Sequence, residues 1–243
     1  MELFNGCIYE TEELLRGSSA KKWAYDPAAC WTETARNELV MLREAAYELG
    51  GSNKSAVSFS CFTTDEALVG PDEVWLYGPD LSAISGDCSF TRIVLFSIQD
   101  VGEEDKAYRA LQDIEFVKYH VFPKGYMIRA LSEDNREQVR VSREAVRSGI
   151  SFRNVGFDYI RKFREKENVR GVRVIFITDP AADYAALRTA ARKVTDITRS
   201  LSTILDGIPT DCDSCGLREI CDEVEGMREL HFQQAEKKSP PDK

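Results

Sequence analysis

Three cysteines crowd one short stretch near the C-terminus, Asp211-Cys212-Asp213-Ser214-Cys215-Gly216-Leu217-Arg218-Glu219-Ile220-Cys221. The arrangement is C-x2-C-x5-C. Two thiolates with two residues between them can converge on one metal from a tight turn, and Gly216 eases that turn. The third returns from the first turn of a following helix, where backbone N–H groups and Arg218 favour the negative charge of thiolates. Soft thiolate ligands select an iron–sulfur cluster or zinc. Clusters are held by four thiolates as a rule, so a further ligand comes from elsewhere in the chain, unless the fourth position stays open in a centre that is catalytic or docks a partner. The sequence leaves that ligand open among Cys7, Cys30, Cys61 and Cys88, with His231 added if the metal is zinc. Each scattered cysteine, such as Cys61 in Phe59-Ser60-Cys61-Phe62, also reads as a small core residue.

Seven cysteines is an odd number, and Met1-Glu2-Leu3 does not open an export signal, so a disulfide framework is not expected. The expected compartment is the cytoplasm. With only two histidines, His120 and His231, a Ser-His-Asp triad, a histidine-rich zinc hydrolase or a two-histidine iron site is disfavoured. The cysteine spacing is shared with certain RecB-like nucleases, but no carboxylate pair with Glu-x-Lys accompanies it. The radical-SAM triplet C-x3-C-x2-C is absent as well.

A second concentration of chemistry is basic. Residues 129–173 hold ten Arg and two Lys against seven acids, a local +5 in a chain of net charge −9. Guanidinium groups bind phosphates bidentately, which makes Arg140 and Arg143 candidates for a CoA or other phosphate ligand. The same arginines equally suit a solvated face paired with Glu137 and Glu144. Net acidity disfavours general nucleic-acid binding, and no apolar run approaches the roughly 20 residues of a membrane span. The 43% apolar and 30% charged composition is that of a globular chain with its own core.

The elements that must position these residues are legible in outline. Trp31–Leu49 carries apolar residues at helical spacing (Leu39, Leu42, Ala46, Leu49) and stops at Gly50-Gly51, which predicts a helix after an irregular first thirty residues. Strands are expected at Ala56–Phe62, Glu73–Tyr77, Arg92–Ile98, Tyr126–Leu131 and Val172–Thr178. Helices are expected over Lys106–Ile114, after Ser142 as far as Gly149, over Val155–Glu167, and from Asp179-Pro180 to about Leu201. The fold class is therefore α+β, a mixed sheet flanked by helices, with a C-terminal cysteine-rich segment and helix. Residues 1–205 form the body, 206–236 the metal-binding segment with a helix over Leu217–Gln234, and 237–243 a disordered tail.

Four segments also carry a likeness to a known family. Glu73-Val-Trp-Leu-Tyr-Gly-Pro-Asp-Leu81, Arg92-Ile-Val-Leu-Phe-Ser-Ile-Gln-Asp-Val-Gly102, Val139–Gly156 and Val172–Asp179, in this order and running into the first cysteines, resemble acetyl-CoA synthase. The resemblance is to the middle domain of that enzyme, the β subunit of the carbon-monoxide dehydrogenase complex, over roughly residues 70–225. It implies a [4Fe–4S] cluster on Cys212, Cys215 and Cys221, in an anaerobe's one-carbon metabolism. It also implies a protein partner, a corrinoid iron–sulfur protein or dehydrogenase subunit. The family's Cys-Gly-Cys nickel ligands are missing from this sequence, so nickel is not expected on this chain and neither is acetyl-CoA synthesis by it alone. The resemblance thus implies an accessory, electron-transfer or partner-docking component. The alternatives are one subunit of a split acyl- or methyl-transferring enzyme, and a zinc-stapled interaction domain.

Overall fold

The computed structural model describes residues 2–51, 53–99, 114, 116–131, 135–205, 217–224 and 227. The helices are α1 (Asn5–Leu15), α2 (Glu66–Val69), α3 (Arg143–Arg147), α4 (Phe152–Arg164), α5 (Tyr184–Leu205) and α6 (Arg218–Glu223). The strands are β1 (Lys21–Ala24), β2 (Ala45–Leu49), β3 (Ala56–Thr63), β4 (Glu73–Tyr77), β5 (Phe90–Ile98), β6 (Tyr126–Leu131), β7 (Arg136–Ser142) and β8 (Val169–Ile177). The chain is α+β, as its pattern indicated. A five-stranded sheet has the order β1-β4-β8-β5-β3, and a three-stranded sheet has the order β2-β7-β6. The large sheet is mixed: β4 runs parallel to β8 and β3 parallel to β5, while β5 and β8 meet antiparallel.

Alternation along β8 divides the layers. Arg173 turns to one side and bonds Glu12 of α1 at 2.9 Å, so α1 covers that face. Val174 and Phe176 turn to the other, where α4 lies across them. That helix comes close because Gly156 has no side chain: a Cβ there would stand 2.5 Å from Val74 Cγ2 and 3.2 Å from the Phe176 ring. Both neighbours are fully buried and have nowhere to move. Gly156→Ala is expected to lower stability by about 1–3 kcal/mol through overpacking, despite alanine's better helix propensity. A shift of the denaturation midpoint at unchanged m-value checks it.

The small sheet packs beside α4 on the same side, and a buried ion pair stitches the two sheets together. Arg92 of β5 and Glu137 of β7 are each 1% exposed. Arg92 Nε donates to Glu137 Oε1 at 2.8 Å, and Nη2 donates to Oε2 at 2.5 Å and to Ser58 Oγ at 3.0 Å. The guanidinium also sits 4.8 Å from the Tyr159 ring of α4.

Three local expectations are corrected. Residues 31–44 are not helical, and 45–49 form β2: Ala45, Tyr47 and Leu49 are buried in alternation, a period of two that overrides the helical spacing of Leu39 and Leu42. The first thirty residues are not irregular, since they contain α1 and β1. The long helix begins at Tyr184, not at Pro180. Asp179 Oδ1 accepts from Ala181 N–H within a turn, and Asp183 Oδ1 accepts from the N–H groups of Ala185 and Ala186 at the true start. The helix expected after Ser142 is α3, capped by Ser142 Oγ and followed by Gly149 at φ 88°. Lys106–Ile114 lies outside the described residues apart from Ile114, which is buried.

Candidate metal centre

Of the three clustered cysteines, Cys212 and Cys215 lie outside the described residues, as do His231 and the tail. Cys221 lies on α6, partly buried against the main core. That short helix is anchored on the body: Val224 and Met227 just beyond it are buried in the main core, and Lys193 of α5 reaches it. Lys193 Nζ is 2.5 Å from Glu223 of α6 and 3.9 Å from Glu10 of α1. One cation therefore ties the cysteine helix to both α5 and α1.

The four scattered cysteines fall in different places. Cys7 lies on α1, one helical turn from Glu10, and is 1% exposed. Burial pushes its thiol up to about 11; Lys193 pulls the other way, and Glu10 and Glu223 add to the rise. Its charged surroundings thus include a residue of α6 itself. Cys61 is fully buried on β3 opposite Leu95, which in turn faces Arg173, so it shares the α1 side of the sheet. Cys30 stands instead beside α4, across the sheet, hydrogen-bonded to Tyr25 and raised by burial. Cys88 pairs by backbone with β2, accepting from Gly50 N–H at 2.8 Å, and burial and Asp87 lift its thiol to about 11. A raised thiol is protonated at neutral pH and a weak nucleophile, whereas coordination to a metal displaces the proton. Among the described residues no three His, Cys, Asp or Glu side chains converge on a common point.

The two arginines proposed for a phosphate ligand hold the protein's own chain. Arg140 reaches Glu48 Oε1 through Nε at 2.7 Å and the carbonyl of Val40 through Nη1 at 2.8 Å. Arg143 Nη1 donates to the carbonyl of Arg43. Both fasten the 40–44 loop over the outer face of the small sheet.

A further titratable cluster had no sequence signal beyond an i,i+3 pair. Asp158 of α4 is fully buried and accepts from Arg161 at 3.1 Å, while Arg161 also bonds Glu33 at 2.7 Å. Burial pushes the Asp158 carboxyl up to about 8, with Arg161 opposing and Glu33 reinforcing the rise. The native state therefore keeps a proton that the unfolded chain releases near 3.8. Stability should fall as pH rises between those values and level off above the higher one, with a slope of up to about 1.4 kcal/mol per pH unit. Asp158→Asn should flatten that dependence, as urea titrations across the range would read.

Against known proteins, the chain matches no family model and no curated sequence.

Proposed function

We propose that this chain is an iron–sulfur protein, an acetyl-CoA-synthase-like accessory component that carries electrons or docks a partner rather than forming acetyl-CoA alone. Cys212, Cys215 and Cys221 hold a [4Fe–4S] cluster, and Cys7 is its remaining thiolate. The observation that carries the reading is the Lys193 bridge, which links the helix of Cys221 to α1, the helix on which the buried Cys7 lies. Lys193 also supplies positive charge beside Cys7 and the helix of Cys221. When bound, the cluster supplies one-electron transfer. The place in anaerobic one-carbon metabolism rests on the order of the resembling segments alone.

The test is iron and acid-labile sulfide analysis on the full chain purified without air. About four of each per chain is expected, with a broad visible absorption that bleaches on reduction. One zinc without sulfide would overturn the reading and make the motif a structural staple.

A further inference from the structure

The loop of residues 37–44 presents an apolar surface that the described residues do not cover. Leu39 is 73% exposed, Leu42 71% and Met41 44%, although Val40 between them is buried on Met127 and Ala45. Large apolar side chains on a slack loop would fold back; these are held outward by bonds to both flanks. Asn37 donates to the carbonyl of Ile128 at 2.7 Å and accepts from its N–H at 3.1 Å, as a strand neighbour would. Glu38 accepts from Gly125 N–H at 2.9 Å, and Glu44 accepts from Met41 N–H at 3.0 Å. Arg140 and Arg143 grip the carbonyls of Val40 and Arg43. The ordering that a binding loop usually undergoes on contact is thus complete beforehand, which lowers the entropic cost of association.

The collar of this patch is basic. Arg36, Arg43, Arg129 and Arg143 are exposed on the loop, on β6 beside it and on α3. Of the nearby acids, Glu38 accepts from Gly125 N–H, Glu44 is half-exposed but accepts from Met41 N–H and stands 4.0 Å from Arg43, and Glu144 is exposed on α3, so the exposed arginines outnumber the exposed carboxylates. Such a collar on a chain of net charge −9 is a local field that acts over about 8 Å at physiological salt. An anionic membrane, extended in two dimensions, meets the repulsion of the whole chain. A second copy placed face to face would oppose arginine with arginine. A short acidic segment meets only the collar.

We infer that the Leu39–Met41–Leu42 surface with its arginine collar docks an amphipathic acidic segment of a partner protein, apolar residues on the leucines and carboxylates on the arginines. The loop is held by β6, β7 and α3 rather than by α1 or α6, and its test does not depend on metal content.

The probe is a labelled synthetic helical peptide with a leucine stripe flanked by glutamates, titrated into the full chain and followed by anisotropy. Binding that weakens with salt is expected. The exposed-site variants Leu39→Ser/Leu42→Ser and Arg36→Glu/Arg43→Glu should each weaken it by about tenfold or more. Unchanged thermal unfolding in the same variants shows that the fold is intact. Absence of binding, equal binding of the peptide with lysine in place of glutamate, or indifference to the leucine variants would overturn the proposal. Two other results would do the same: capture of the chain by phosphatidylserine-containing vesicles through these leucines, or a leucine-dependent dimer in sedimentation without peptide binding.

Discussion

Replacing Glu137 with alanine is expected to cost about 3–5 kcal/mol, a large part of a typical domain's stability. The reason is the charge left behind. Arg92 is 1% exposed, and its guanidinium is kept ionised by Glu137 against the opposing effect of burial. Without the carboxylate, a desolvated cation remains between the two sheets beside Ser58, the Tyr159 face and Tyr126, none of which carries a negative charge. Arg92→Leu with Glu137→Leu removes both charges and is expected to recover most or all of the loss, because apolar replacement of a buried pair is often neutral or better. Urea denaturation of the single and double variants gives the comparison. A single variant within about 0.5 kcal/mol of the parent would mean that water reaches the pair and that it does not hold the sheets together.

The second large effect concerns the proposed cluster. Cys212→Ala and Cys7→Ala should each take the iron content of anaerobically purified protein from about four per chain to near zero. Cys30→Ala and Cys88→Ala should leave it unchanged, since Cys30 lies across the sheet and Cys88 is tied to β2. Alanine suits these tests because a buried thiol packs as a small apolar group. If Cys61→Ala loses iron while Cys7→Ala keeps it, the remaining ligand is on β3 and the Lys193 bridge is only a tether. If all variants keep iron, the C-x2-C-x5-C motif is not the site.

Four of the five strand segments readable from the chain lie in the large sheet, whose central strands are buried on both faces and leave continuous runs such as Ile93–Phe96 and Val172–Ile177; the fifth, β6, belongs to the small sheet. The Ser142 cap and Gly149 stop were readable for a similar reason, since each acts within one helical turn. Residues 31–49 show where this fails. Leu39, Leu42, Ala46 and Leu49 satisfy a helical period as well as Ala45, Tyr47 and Leu49 satisfy a strand period. Pairing with β7 decides between them, with Leu49 opposite Val139, a partner some ninety residues away. β1 and β7 were missed because charged residues break up their apolar pattern: exposed Lys21 and Lys22 open β1, and Arg136, Glu137 and Arg140 interrupt β7.

The sequence by itself determined what depends on residue chemistry and short-range pattern: an α+β chain, a thiolate-rich segment, a basic stretch and the places of most strands. Only the tertiary structure decided what depends on distant partners. It set the strand order and turned Arg140 and Arg143 onto the protein's own carbonyls. It placed Arg92 opposite a carboxylate 45 residues away, which a charged residue needs before it can leave water. It also seated the helix of Cys221 on the α1 side of the sheet and left Cys30 on the other. Spacing along a chain cannot tell these apart, because it carries no record of which face of a sheet a helix will cover.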